Sequence, residues 1–232
     1  MTEPIIIAEQ ISKSYGRKQA IDHLSLTIEK GSVTGILGGN GAGKSTFFRM
    51  ITGLVRPDSG RLTVLGEEPG WRTNSQIAYL PDRARWYGNY TAEQTFDWGS
   101  NILPGFEKSE ALRLAELMNL PLDLKTEGMS KGQEARLMLI LCIARSVPLI
   151  VLDEPFSGID GSSRERIIEA LIDAISEKEQ TLLISTHEIY EVEGLMDDVV
   201  FLKDGAVQLT GNAEKLRTEY GSIYDLSKKM GD

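Results

Sequence analysis

The chain of 232 residues is poor in several things, and each shortage excludes something. It has a single cysteine, Cys142, so neither an internal disulfide nor a multi-cysteine metal site can form. That cysteine lies in an apolar helical run and reads as a buried structural thiol, suited to a reducing cytoplasm. Positive charge is outnumbered, with 25 Lys+Arg against 34 Asp+Glu and a net charge of −9, which argues against a nucleic-acid partner. No long hydrophobic run exists: the longest, Leu137 to Ala144, is far too short to span a bilayer. Met1-Thr2-Glu3-Pro4-Ile5 lacks the basic and apolar regions of a secretory signal. Any action at a membrane would therefore need another chain to do the spanning. Repeats and low-complexity tracts are also missing, and only two histidines occur, His23 and His187. For His23, beside a strand, the sequence suggests no partner.

What is present centres on Gly38-Gly39-Asn40-Gly41-Ala42-Gly43-Lys44-Ser45-Thr46, which has the form G-x-x-x-x-G-K-[ST] of a phosphate-binding loop. Ser32 to Leu37 before it reads as a buried strand and Phe47 to Thr52 after it as a helix, the frame such a loop requires. Glycines let backbone N–H groups curl around phosphate oxygens, and the helix N-terminus adds partial positive charge. Lys44 is placed to reach β/γ-phosphates and Ser45 to ligate Mg²⁺. The rival, a glycine-rich turn without a ligand, is weakened by this frame.

Around the loop, Ile5–Ser14, Leu24–Ile28 and Arg61–Leu65 read as strands, with turns at 15–19 and 57–60 and a helix stop at Gly53. Gln76 to Leu80 is a further short strand. From Arg83 to about Pro148 the pattern is helical throughout. Ala111, Leu114, Ala115 and Met118 share one face, with Ser109 placed to cap. Ser130 and Gln133 have capping-box spacing at the start of a helix that buries Leu137, Ile140, Leu141 and Ala144. Leu149 to Leu152 is a continuous apolar run expected of a central parallel strand, ending in Asp153-Glu154. Ser162 and Glu165 form a second capping box, opening a helix expected to bury Ile167, Ile168, Leu171, Ile172 and Ile175. Gln180 to Thr186 is another buried strand ending at His187, and Val199 to Leu209 is a hairpin with an Asp204-Gly205 turn. Residues 212–232 form a polar tail of weak helical character.

The expected architecture is α/β: a phosphate-loop NTPase core with a mostly parallel sheet, an N-terminal antiparallel β subdomain and an inserted all-helical subdomain. Residues 1–82 and 148–211 make the nucleotide-binding core, 83–147 the helical insert and 212–232 the tail. Strand C-termini in such sheets face the ligand crevice, so Asp153 and Glu154 are placed to hold Mg²⁺ and polarise an attacking water. A solvated acidic loop is the rival. His187 follows a strand that should end beside Asp153. Ser130, Gly132 and Gln133 make a second anion site at a capped helix start, unless the cap is their whole purpose.

Taken in order, the phosphate loop, the helical insert opening into Ser-x-Gly-Gln, the Asp-Glu pair and the later histidine resemble the ATP-binding subunit of ABC transporters, over about Ile5 to Leu209. The resemblance implies ATP hydrolysis with Mg²⁺, by an ATPase peripheral on the cytoplasmic face of the membrane. Tyr15 corresponds to the aromatic that stacks on adenine, and Asp153 would act on Mg²⁺ with Glu154 as the base for water. His187 corresponds to the residue contacting the γ-phosphate, and 157–160 to a loop crossing to a partner. Two such subunits, identical or paralogous, pair head to tail, so Ser130, Gly132 and Gln133 would cap the γ-phosphate held by the other subunit.

Two positions depart from the family pattern. Asp82 stands where glutamine is usual; shorter and anionic, it could still bind water or approach Mg²⁺. Lys131 stands at the second signature position, usually glycine. These variants are similar to the subfamily serving ABC-2 type bacterial exporters. Beyond Asp82, the segment 83–90 is basic and aromatic, where the family contacts its transmembrane permease; Trp86 and Tyr87 would form a socket, against the rival of local packing. The alternative function is a soluble ABC ATPase on a cytosolic scaffold for cofactor assembly. A DNA-repair member would need a long coiled-coil or zinc-binding insertion, which 44–130 and a single cysteine do not accommodate. A translation member usually has two cassettes in one chain. A small-molecule kinase leaves the Ser-Lys-Gly-Gln and Asp-Glu elements unexplained.

Overall fold

A computed structural model describes residues 3–82, 84, 86–159, 161–178 and 180–230. Arg83, Arg85 and Asp160, and the side chains of Ser162 and Ile175, lie outside what is described, and with them parts of the expectations above.

The chain begins with a hairpin, β1 (Pro4–Tyr15) and β2 (Lys18–Glu29), followed by β3 (Val33–Leu37), α1 (Lys44–Ile51) and β4 (Ser59–Val64). Then come α2 (Trp71–Asn74), β5 (Ile77–Leu80), α3 (Ala92–Ile102), α4 (Lys108–Leu117) and α5 (Lys131–Ile143). The second half runs β6 (Leu149–Asp153), α6 (Gly161–Lys178), β7 (Thr181–Ser185), α7 (Ile189–Val192), β8 (Asp198–Lys203), β9 (Ala206–Asn212), α8 (Ala213–Tyr220) and α9 (Ile223–Met230).

Two sheets result. An antiparallel sheet has the order β2-β1-β4, and a six-stranded sheet the order β5-β6-β7-β3-β8-β9. In the larger sheet every neighbouring pair is parallel except β8 and β9. Its central strands β3, β6 and β7 are buried at every position, and alternate residues feed two different cores because strand side chains alternate faces. Leu149 and Val151 of β6 and Leu183 of β7 join the core facing the antiparallel sheet. Ile150, Leu152, Leu182 and Ile184 join the core packed with the helices.

Helix α1 occupies the space between the sheets. Phe47, Phe48, Met50 and Ile51 are all completely buried, and each such side chain stabilises by roughly 1.5–3 kcal/mol. A helix enclosed from both sides has no need of a broad polar face. Its N-terminus is therefore fixed at the C-terminal edge of the sheet by a large apolar contact.

On the other face, Ala111, Leu114, Ala115 and Met118 are buried as the periodicity requires, as are Leu137, Ile140 and Leu141 of α5. Several expectations need correction. Ser109 lies inside α4, whose N-cap position is Glu107. In α6 the buried stripe is Ile167, Ala170 and Leu171, while Ile172 is 44% exposed. Ile168 and Ile172 form the next i,i+4 row around the helix: Ile168 packs partly buried at the margin of the core, and Ile172 lies beyond it. The polar C-terminal segment is two packed helices, with Leu216, Ile223 and Leu226 buried in the helical core. His23 is in β2 rather than beside a strand, and its Nδ1 lies 2.7 Å from Asp22 Oδ1.

Candidate functional site

The loop from Gly38 to Gly43 joins β3 to α1, and the glycines at its two ends are required by geometry. Gly43 has φ +110, and a Cβ there would come within 2.6 Å of the Ala20 carbonyl. Gly38 has φ +139, and a Cβ there would fall 2.1 Å from the Leu202 carbonyl. Helix α1 starts at Lys44 with no side-chain cap and no acidic residue in its first turn. Its leading N–H groups thus keep the partial positive charge that an anion can use. The loop is braced from below. Gly205 N–H donates to the Ala42 carbonyl (3.0 Å), and the Gly205 carbonyl accepts from Asp22 N–H (2.9 Å). The Asp204-Gly205 turn is therefore a strut between the phosphate loop and β2.

Lys44 is only 6% exposed. Its ammonium donates to the carbonyl of Gly38 (2.6 Å) and more distantly to that of Gly39 (3.4 Å). It also lies 3.9 Å from Glu154 Oε1.

The acidic pair is set by strand pairing: Asp153, the last residue of β6, is opposite Ser185 of β7. Asp153 is 2% exposed and accepts a 2.7 Å hydrogen bond from Ser185 Oγ. The next residue, Glu154, has φ +53, an uncommon conformation for a side chain of its size. Its N–H is held at 3.1 Å from both the Ser185 carbonyl and Ser185 Oγ. Glu154 Oε2 accepts from His187 N–H (3.1 Å). Oε1 lies 3.2 Å from His187 Nε2, yet it is buried and receives no well-directed hydrogen bond. Burial pushes the Glu154 carboxyl above the ordinary carboxylate range, against the opposing pull of His187 and Lys44. A buried carboxylate with a raised pKa and one unused oxygen is a proton acceptor awaiting a donor.

These groups share one cleft of about 350 Å³, which Tyr15, Lys44, Ser45, Asp82, Glu154 and His187 all line. Tyr15 projects from the hairpin and is 47% exposed. Asp82, at the end of β5, also lines a smaller adjoining space with Asp153, Glu154, Lys131 and Glu134, so it stands between the cleft and α5. The phosphate loop, Glu154, His187 and Tyr15 thus line one cleft, with Asp153 in the adjoining space.

Ser130, Gly132 and Gln133 are not. Among the described residues, none of them lines the cleft. Their capping box is formed: Gln133 N–H donates to Ser130 Oγ (3.3 Å), and Ser130 N–H donates to Gln133 Oε1 (2.9 Å). Ser130 itself is exposed.

Sequence reasoning missed Ser185, which holds the Asp153 carboxylate and the Glu154 backbone N–H, and Lys18, which lines the cleft beside the loop. Lys18 was detectable: a hairpin with a two-residue turn makes it the cross-strand partner of Tyr15. The aromatic segment is divided. Trp86 is half-buried and packs edge-on against Trp98 at 4.7 Å, so local packing accounts for it. Tyr87 is 61% exposed.

The oxygen donors in the cleft and the space beside it, a Ser45 hydroxyl and the Asp82 and Asp153 carboxylates, are chemically hard and suit Mg²⁺, which takes few protein ligands alongside phosphate and water. No helix among the described residues is long and apolar enough to cross a membrane.

Fold and site together define a phosphate-loop ATPase. A family model described as ABC transporter matches residues 21–157. The chain belongs to that family and is an ABC-type ATPase. It is 32% identical over 221 residues to the ABC transporter ATP-binding protein YtrB of Bacillus subtilis, covering 94% of this chain and 76% of that protein. It is 31% identical to the ABC-type organic anion transporter ABCA8A of Mus musculus, covering 98% of this chain but only 15% of that much longer protein. A solved ATP-binding subunit of an ABC transporter superposes with a TM-score of 0.83 at 25% identity, over 98% of this chain and all of the other. A dimeric ATP-binding cassette bound to ADP and phosphate shares the fold, with a TM-score of 0.79 at 22% identity over 89% of this chain and 98% of that one.

Proposed function

We propose that this chain is the ATP-driven subunit of a membrane transporter, working as a head-to-tail dimer whose closure over ATP moves a separate permease. The observation that carries this reading is the separation of the two anion sites. Ser130, Gly132 and Gln133 lie away from the cleft of their own chain, so they serve a phosphate only if it is held by a second copy or a paralogue. The known relatives named as ABC transporter ATP-binding proteins support the assignment to transport, and the ADP- and phosphate-bound dimer of the same fold supports pairing.

Within each cleft, Tyr15 stacks on adenine and residues 38–46 hold the phosphates. Lys44 exchanges its contacts with the Gly38 and Gly39 carbonyls for phosphate oxygens. Ser45, Asp153 and Asp82 would hold Mg²⁺, which supplies charge neutralisation at the phosphates. Ser185 fixes the Asp153 carboxylate and the Glu154 backbone. Glu154 takes the proton from the attacking water at Oε1, the oxygen that lacks a hydrogen bond. His187 orients that carboxylate through its backbone N–H and turns its ring toward the same space.

Residues 83–147 form the helical arm that carries the signature, packed on the core formed by 1–82 and 148–211. On that arm Tyr87 is the exposed aromatic available to a permease helix on the cytoplasmic face of the membrane. The test is co-purification with a tagged chain under native expression. A multi-spanning membrane protein retained with the chain, and lost in Tyr87→Ala, is expected. A soluble scaffold protein retained in its place would contradict the transporter reading.

A further inference from the structure

The cleft contains a second lysine to which neither the motif nor the mechanism gives a task. Lys18 opens β2 and is the direct cross-strand partner of Tyr15 across the turn at Gly16-Arg17. Residues directly opposite one another in an antiparallel pair project to the same face, and both line the cleft. The Lys18 ammonium lies against the phosphate loop, 3.5 Å from where a Cβ on Gly41 would sit. No carboxylate among the described residues pairs with it, although acidic residues outnumber basic ones in the chain. The nearby polar side chains are otherwise engaged: Gln19 Nε2 donates to Asp22 Oδ1, which also contacts the His23 ring.

We infer that Lys18 is a nucleotide-binding residue that contacts the phosphates common to ATP and ADP. Lys18 is tied to both parts of the cleft: its cross-strand partner is Tyr15, and its ammonium lies against Gly41 of the phosphate loop. A nucleotide whose base lies on Tyr15 places its α- and β-phosphates beside Lys18, while Lys44 sits deeper, beside Glu154. This placement rests on the reading of Tyr15 as the base platform. A flexible ammonium at the surface gives binding energy that is the same in the ground and transition states, so it should affect affinity and leave the chemical step alone.

Nucleotide affinities of Lys18→Gln, Lys18→Arg and Tyr15→Ala, with kcat at saturating ATP, test this. A charge-assisted contact in a half-open cleft predicts that Lys18→Gln weakens ATP and ADP equally, by about fivefold to tenfold. Turnover at saturation and melting temperature should be unchanged, and Lys18→Arg should restore affinity. Inorganic tripolyphosphate, which has no base, separates the two readings. Lys18→Gln should weaken its competition with ATP, whereas Tyr15→Ala should weaken ATP and leave tripolyphosphate alone. Failure of Tyr15→Ala to affect ATP removes the base platform without removing the phosphate contact. Unchanged ATP and ADP affinities in Lys18→Gln, a loss confined to ATP, or a fall in kcat with affinity preserved would each overturn the inference.

Discussion

The two helix N-termini assigned above to phosphate, those of α1 and α5, are built differently. Helix α1 begins without a side-chain cap after a loop whose glycines are sterically enforced, and its lysine is buried. Helix α5 begins with a closed capping box, carries Glu134 in its first turn and is exposed at Ser130. The first leaves its backbone donors open and needs a ligand to satisfy them. The second has one of its leading donors, Gln133 N–H, taken by the capping box, and its acidic first turn disfavours a free anion. Such a site takes a phosphate only when another contact brings one to it. The difference suits a nucleotide that binds one subunit firmly and then recruits the second.

Breaking the α1 site should have the largest effect. Lys44→Ala removes a buried cation aimed at the phosphates, and ATP affinity should fall by about a hundredfold or more in equilibrium binding. Gly43→Ala forces a side chain into a left-handed conformation against the Ala20 carbonyl. It should abolish nucleotide binding and cost about 2 kcal/mol in a denaturant melt. The corresponding change at α5 has the opposite structural character. A Cβ on Gly132 meets nothing closer than the Gly158 carbonyl at 3.8 Å. Gly132→Ala should therefore fold as well as the parent while ATPase activity falls by about tenfold, because the methyl obstructs only the second subunit's phosphate.

Ser130→Ala removes a cap and should cost about 1 kcal/mol in a denaturant melt, with monomer ATP affinity unchanged. The smallest effect concerns Glu154. Because burial raises its pKa, the folded chain holds that proton more tightly than the unfolded chain. Its contribution to stability is fully present below the unfolded value and is lost as pH rises through the folded one. Without nucleotide, Glu154→Gln should thus melt about 2 °C higher than the parent at pH 8, with the gap closing as the pH is lowered toward the carboxylate range.

The parts that were legible in the sequence are those whose chemistry is local. The phosphate loop can be read because its glycines, lysine and serine act through the backbone of one continuous turn. Asp153 and Glu154 can be read because a strand buried on both faces must end in the crevice. Ser130 and Gln133 can be read because a capping box spans only three residues. What escaped depends on neighbours distant in sequence. Ser185 looks like an ordinary strand end until β7 is placed beside β6. Arg145 gives no sign that it is buried, yet its guanidinium donates to the Pro104 carbonyl (2.9 Å) and the Ile77 carbonyl (2.8 Å), tying the helical arm to the sheet. Burial shifts its pKa downward, as expected for a cation held by carbonyls without a carboxylate. The C-terminal helices were hidden by polar composition, because only a narrow stripe including Ile223 and Leu226 is buried. Ile172 was overread, since its spacing gives the angle around α6 but not the width of the contact.

In the proposed dimer the cleft is half a site, completed by the α5 N-terminus of another subunit. Sedimentation of Glu154→Gln and of Glu154→Gln/Ser130→Arg with saturating ATP tests it most directly, with bound nucleotide counted in each. An ATP-dependent dimer is expected for the first, and for the second a monomer that still binds one ATP per chain. A double variant that dimerises as well as the single one, or a single variant that binds ATP and stays monomeric, would contradict it.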